Sequence, residues 1–293
     1  MTDGIDAAED RLFRRSRTLN VKGRLLSLEH PLVMGILNAT PDSFYDGGKH
    51  DSVGSAMRQM QRMIEEGADI IDVGGASSRP GAEAPSEQEE IDRVTPVIQA
   101  AIETWPDVII SIDTYRSSVA QAALEAGASI VNDISGGMLD EQMLSTVGQA
   151  KAPYICMHMP GTPKDMQENT DYPDGVVHRV FKYFSERIAA CLEAGIHDII
   201  LDPGFGFGKT MDQNYRLLRE LGHFRPLQRP ILMGVSRKSM IHRTLGTSAS
   251  EALNGTTALN MLGLERGAYI LRVHDVKEAK ECITLHQRMK SAP

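Results

Sequence analysis

Cysteine is scarce in this chain, with three among 293 residues. Cys156, Cys191 and Cys282 are scattered through apolar segments without metal-ligand spacing, so they exclude a cysteine metal site and read as reduced core residues of a cytoplasmic protein. Long apolar runs are missing too. None approaches the ~20 residues of a membrane span, and the acidic stretch from Met1 to Asp10 has no apolar core of a signal peptide, so no membrane association is expected. Excess positive charge is also absent. The formal net charge is -8, whereas nucleic-acid surfaces depend on clustered Lys and Arg that neutralise phosphates. An anionic ligand must therefore be held locally. No Ser-His-acid order, Cys-His pair or His-rich metal spacing occurs, which disfavours covalent catalysis.

What is abundant is a recurring apolar run that ends in polar residues. The runs are Val33 to Asn38, Ile70 to Gly74, Ile109 to Asp113, Ile130 to Asp133, Tyr154 to His158, Ile199 to Pro203, Ile231 to Ser236 and Ile270 to His274. Amphipathic sequence of helical period lies between them, so the chain reads as strand-helix repeated about eight times, the count that closes a (β/α)8 TIM barrel. Residues 1–18, with the basic stretch Arg11 to Arg17, read as a flexible solvated leader; 19–293 read as one barrel domain. Leu19 to Leu26 alternates around Lys22-Gly23, which predicts a hairpin plugging the end opposite the functional rim. Val53, Ala56, Met57, Met60, Met63 and Ile64 predict a helix from about Asp51 to Glu66, and Val177 to Cys191 predicts the longest helix, stopped at Gly195. Pro31, Pro106, Pro153 and Pro230 mark strand starts.

Three long connections follow Asn38, Gly74 and His158, and loops of that length in a compact domain are usually functional. Their Gly and Pro content suits lids. Asp72, Asp113, Asp133 and Asp202 all fall near the carboxyl ends of apolar strands, where an ionised group needs donors. Two readings stand: an internal network with Lys238, Arg272 and Asn132, or a ligand with a planar donor edge. Arg272 and His274 are two apart and share a strand face, which points to an anion, as loops after the last two strands often bind phosphate. The glycine-rich Asp202 to Lys209 matches neither a P-loop nor a dinucleotide fingerprint; Phe207 there is either an aromatic platform or packing.

The strings Met34 to Phe44, Ser77-Ser78-Arg79-Pro80-Gly81, Ser111-Ile112-Asp113-Thr114, Asn132-Asp133-Ile134, Met157-His158-Met159, Leu201 to Lys209, Ser236-Arg237-Lys238-Ser239 and Arg272 to Val276 together closely resemble the dihydropteroate synthases. The likeness implies a usually dimeric barrel enzyme that joins p-aminobenzoate to hydroxymethyl-dihydropterin diphosphate, releases diphosphate, and is a target of sulfonamides. By matching position it implies pterin contacts from Asp113, Asn132, Met157, Asp202 and Lys238. Diphosphate contacts would come from Asn38, Arg272 and His274, with Mg2+ at Asn38 and Asp42 in the first loop. Ser78, Arg79, Pro80, Phe207 and Ser239 would shape the p-aminobenzoate pocket. Asp42, Arg79, Lys238, Arg272 and His274 are the expected catalytic set, acting on a dissociative substitution.

The sequence departs from the commoner pattern at Ala76, where Glu is usual, and at Ser78, where Thr is frequent. Loss of the carboxylate at Ala76 is expected to alter the second loop's contacts and relax affinity for p-aminobenzoate or sulfonamides. A degenerate pterin binder is the main rival reading, and a pterin-dependent methyltransferase the second. Retention of Asn38, Asp42, Arg79, Lys238, Arg272 and His274 weighs against the first. The Arg-Val-His ending, suited to an alkyl diphosphate, weighs against the second.

Overall fold

A computed structural model describes residues 18–39, 49–76 and 85–292. The chain opens with an antiparallel hairpin, β1 (Thr18–Val21) and β2 (Arg24–Ser27). Strands β3 (Leu32–Asn38), β4 (Ile70–Gly74), β5 (Ile110–Asp113), β6 (Ile130–Asp133), β7 (Tyr154–Met157), β8 (Ile199–Asp202), β9 (Ile231–Met233) and β10 (Ala268–Val273) follow. They form a closed parallel barrel in the order β10-β3-β4-β5-β6-β7-β8-β9. All eight apolar runs are thus strands, and the (β/α)8 expectation is met. The covering helices are α1 (Lys49–Glu65), α2 (Glu87–Thr104), α3 (Ser117–Ala126), α4 (Met143–Ala150), α5 (Val176–Glu193), α6 (Met211–Arg219), α7 (Ser239–Leu245), α8 (Leu253–Glu265) and α9 (Val276–Lys290). α5, expected as the longest helix, is matched by α2 at 18 residues. The expected leader lies outside the described residues except for Thr18, which opens β1.

The strands sort their side chains by parity, because alternate residues point to opposite faces. Val33, Leu37, Ile71, Val73, Ile112, Val131, Tyr154, Leu201, Met233 and Leu271 point outward into the core shared with the helices. Met34, Ile70, Ile130, Ile155, Ile200, Leu232 and Ile270 point inward and meet Leu19 and Val21 of the hairpin. The hairpin therefore seals one mouth of the barrel, as its alternation predicts.

One step of two residues further along each strand, the inward layer turns polar: Asp72, Ser111, Asn132, Asp202 and Arg272 stand where the apolar layer has Ile70, Ile109, Ile130, Ile200 and Ile270. The same parity removes Asp133 from the rim pocket. Its carboxylate faces outward and accepts from Tyr154 Oη, Ser135 N and Oγ, and Gly137 N, each at 2.7 Å. Asp133 is a structural acceptor rather than a rim carboxylate awaiting a ligand.

Helix starts adjoin the rim with side-chain caps. Ser86 and Glu89 form a capping box at α2, and Thr210 and Gln213 form another at α6, directly after the glycine-rich turn. Leu19 is fully buried, so Leu19→Ala is expected to cost about 2–5 kcal/mol. Urea unfolding measures this loss, while ligand affinity at the opposite rim stays at the parental value.

Candidate active site

The register of the sheet sets out the site's first row. Asn38 pairs with Gly74, Gly74 with Asp113, and Asp113 with Asn132, so three polar side chains follow one another around the rim, with a glycine opening the space between Asn38 and Asp113. From β10, which pairs with β3, comes Arg272. Its Nε donates to Asp72 Oδ2 at 2.6 Å and its Nη2 to Asp113 Oδ2 at 2.6 Å. Asp72 Oδ2 also accepts from Asn132 Nδ2 at 2.9 Å. Two carboxylates thus converge on a single guanidinium, and one of them also holds the Asn132 amide. Burial raises the pKa of Asp113 to about 7 despite the opposing Arg272 charge, with Asp72, Glu90 and Asp133 adding to the rise. The flanking carboxylates hold the Arg272 guanidinium protonated against the cost of its burial.

Lys238 supplies the second positive charge. It follows the seventh barrel strand and caps α7. Its Nζ donates to Phe205 O and lies 4.7 Å from the centre of the Phe207 ring. Burial lowers its pKa to about 8, opposed by Asp202. Asp202, whose pKa burial raises against the pull of Lys238, accepts from Gly204 N at 2.8 Å. Gly234 faces all these groups. A Cβ there would stand 3.9 Å from Lys238 Nζ, 3.9 Å from Arg272 Cβ and 4.0 Å from Asp202 Oδ2. Glycine therefore leaves the floor between the two cations and the carboxylate open.

The apolar wall is Met157, Ile134, Met159 and Met166 with Phe207 packed against them. Phe207 is thus both packing and platform. It also lines, with Lys238 and Ser239, a cleft of about 760 Å³ that continues past Met211 and Arg243. The third connection, expected as a lid, is a fixed wall instead. Gln167 Nε2 donates to Gly206 O at 3.0 Å, Tyr172 Oη donates to Gly208 O at 2.8 Å, and Met166 is buried. Lys209 locks the glycine-rich turn from below, its Nζ reaching Gly204 O at 2.9 Å, Phe207 O at 2.8 Å, His158 O at 3.2 Å and His158 Nδ1 at 3.0 Å. Burial lowers the pKa of Lys209 to about 7 and pushes that of His158 well down, which leaves the imidazole neutral as an acceptor.

His274 lies just beyond β10, with Nδ1 3.0 Å from Ser236 Oγ and its backbone N–H 3.2 Å from the same oxygen. Ser236 Oγ thus accepts from the backbone and shares a second hydrogen bond with the ring, donating to Nδ1 or accepting from it according to the tautomer. Desolvation, then the Arg272 charge, lowers its pKa, so the imidazole is neutral at neutral pH. The structure gathers Asp113, Asn132, Met157, Asp202, Phe207, Lys238 and Arg272 at the rim, with Asn38, Ser239 and His274 on its edge. Asp42, Ser78, Arg79 and Pro80 lie outside the described residues. Asp72, read from the sequence as a strand-end carboxylate that an internal network could satisfy, is bonded to Arg272 and Asn132 as that reading has it, while Lys209 was not expected as a site residue. Asp72 interrupts an otherwise apolar strand and Lys209 ends a glycine-rich turn, which are the signals that mark them.

A charged, heterocycle-sized layer on the carboxyl rim of a closed barrel defines the class of pterin-binding barrel enzymes, and a family model described as pterin binding enzyme matches residues 34–274. A dihydropteroate synthase of Escherichia coli (strain K12) is 45% identical over 276 residues, 94% of this chain and 97% of that one. A solved Xanthomonas albilineans dihydropteroate synthase with 4-aminobenzoic acid superposes with a TM-score of 0.88 at 40% identity, covering 95% of this chain and 100% of that one. A Yersinia pestis dihydropteroate synthase in a sulfonamide drug complex also gives 0.88, at 41% identity, with 94% and 100% covered. The chain belongs to the dihydropteroate synthase family and is an enzyme of the transferase class.

Replacing Arg272 by Leu strands Asp72, which is 0% exposed, as an unpaired buried charge at a cost of about 3–5 kcal/mol. Urea denaturation is expected to show that loss, and Asp72→Asn in the same chain to recover most of it.

Proposed function

We propose that this chain joins p-aminobenzoate to (hydroxymethyl)dihydropterin diphosphate, yielding dihydropteroate and diphosphate for folate synthesis. The observation that carries the reading is the convergence of Asp113, Asn132, Asp202 and Lys238 in one inward layer beside Arg272. A pterin presents an amino group beside a ring N–H, a donor pair suited to a carboxylate, and ring acceptors suited to Lys238. Met157 offers an apolar face to the ring. Phe207, Lys238 and Ser239 border the cleft that fits the arylamine; Ser78, Arg79 and Pro80, outside the described residues, are assigned to the same ligand on the family resemblance. Names of relatives agree with this assignment: the matched family is described as pterin binding, and one neighbour holds 4-aminobenzoic acid.

In the reaction the methylene C–O bond breaks first and its electron pair leaves with diphosphate. The electron-rich pterin supports the cationic methylene, and the arylamine nitrogen then forms the C–N bond and gives up its proton. An arylamine needs little help as a nucleophile at such a centre, so the protein's contribution falls on the leaving group. Arg272 and His274 stabilise charge gathering on diphosphate. Exclusion of water matters in this step, because hydrolysis competes for the cation.

The implied cofactor is Mg2+. No group of three or more His, Cys, Asp or Glu that could hold a metal occurs among the described residues, but Mg2+ keeps water and substrate phosphate oxygens and needs only one or two protein oxygens. The carboxamide oxygen of Asn38, half-buried at the end of β3, fits that demand. When bound, the ion neutralises diphosphate charge.

A homodimer is proposed on α8 and α9, which pack together and leave Leu262, Leu285 and Met289 exposed. No helix among the described residues is long and apolar enough to cross a membrane; a cytoplasmic location is proposed from that and from the three free buried cysteines. Sulfonamides are the proposed inhibitors, competing with p-aminobenzoate, in line with the drug complex of the Yersinia pestis relative.

Diphosphate release from dihydropterin diphosphate is expected to require both p-aminobenzoate and Mg2+; pterin binding without arylamine-dependent release would instead support a degenerate binder. A pH dependence follows from Asp113. Pterin N–H donors need its carboxylate form, and its pKa is raised to about 7. Affinity for hydroxymethylpterin, titrated without diphosphate or metal, is therefore expected to rise about tenfold from pH 6 to 7 at most and to level off above pH 8. Asp113→Asn flattens that profile.

A further inference from the structure

Asp72 has no part in the contacts described for substrate, yet the network turns on it. It is wholly buried, and one of its oxygens, Oδ2, holds both Asn132 Nδ2 on the pterin side and Arg272 Nε on the diphosphate side. Its other oxygen, Oδ1, has no hydrogen-bond partner among the described residues. Asp72 is thus fixed through a single atom shared by two functional side chains. Arg272 in turn is held by two carboxylates, and only one of them, Asp113, faces the assigned ligand.

We propose that Asp72 is a positioning residue that anchors Arg272 through Nε, while Asp113 releases Nη2 when a pterin occupies the site, so that pterin and diphosphate bind with positive coupling. This rests on the functional reading above. In the unliganded protein two carboxylates take two of the N–H donors of Arg272 and compensate its charge, which makes it a poorer receptor for a further anion. A pterin donor pair engages both Asp113 oxygens and competes for Oδ2. The Nη2 donor then loses its acceptor inside the barrel, and a buried donor left unpaired is disfavoured. An oxygen of diphosphate recovers that cost. Asp72 keeps the guanidinium in place during the exchange, because its bond is to a different nitrogen and its burial keeps it out of reach of the ring.

Calorimetric titration with inorganic diphosphate and Mg2+, with and without saturating hydroxymethylpterin, tests the coupling. Pterin is expected to tighten diphosphate at least about fivefold, within the usual range for linked sites. In Asp113→Asn, diphosphate alone is expected to bind nearly as well as it does to the pterin-loaded parent. Asp72→Asn separates positioning from charge. Loss of a negative charge by itself favours diphosphate binding, whereas loss of the anchor lowers kcat by about tenfold or more and leaves the KM for p-aminobenzoate within about twofold. Equal diphosphate affinity with and without pterin, or parental kcat in Asp72→Asn, overturns the proposal. Should Asp72→Asn not fold, nitrogen-15 NMR of the parent decides: the Arg272 Nε–H stays protected from solvent exchange in free and doubly liganded protein, and its loss of protection on ligation would count against Asp72 as anchor. A protein that releases no diphosphate in the turnover assay loses the functional reading itself; one that turns over without coupling loses only this inference.

Discussion

The interior of this barrel depends on neutralising charge within a layer one side chain deep. Asp72, Asp113 and Asp202 enter a space that the rest of the strands fill with isoleucine, leucine and methionine, and an isolated carboxylate there would be expelled or protonated. Arg272 and Lys238 make the layer tenable by reaching the same depth from the last strand and the start of α7. Neither cation is in excess. Burial drives the pKa of Asp113 up and that of Lys238 down, and the opposite charges of Arg272 and Asp202 work against those shifts.

That balance explains why the site can discriminate by donor pattern rather than by net charge. A ligand that merely brings negative charge meets carboxylates, and one that merely brings positive charge meets buried lysine and arginine. A neutral heterocycle with donors and acceptors on adjoining edges can substitute for several internal bonds at once. Around it, the walls are rigid: Lys209 fastens the glycine-rich turn through three carbonyls and a neutral imidazole, and the third connection is tied down at Gln167 and Tyr172.

Much of this was legible in the sequence because strand parity is simple to count. The eight runs, the hairpin and the inward set Asp113, Asn132, Asp202 and Arg272 follow from period two and from where apolar residues stop. Asp133 was misjudged for the same reason that Asn132 was not: adjacent residues on a strand face opposite ways, and the outward one meets Tyr154. For Asp72 the sequence left a network and a ligand as alternatives, because its partner Arg272 is 200 residues away and only barrel closure decides between them. The third connection looked mobile from its glycines and prolines, whereas its anchors are single side chains of ordinary type, Gln167 and Tyr172, with no local signature.

The hairpin has a consequence for traffic. With Leu19 and Val21 packed into the inward apolar layer, one mouth of the barrel is stoppered, and molecules enter and leave by a single doorway. A heterocycle seated against Asn132 and Asp202 lies deeper than anything resting between Phe207 and Ser239. Two guests would therefore share one path, and one held between Phe207 and Ser239 would stand in the way of one bound further in.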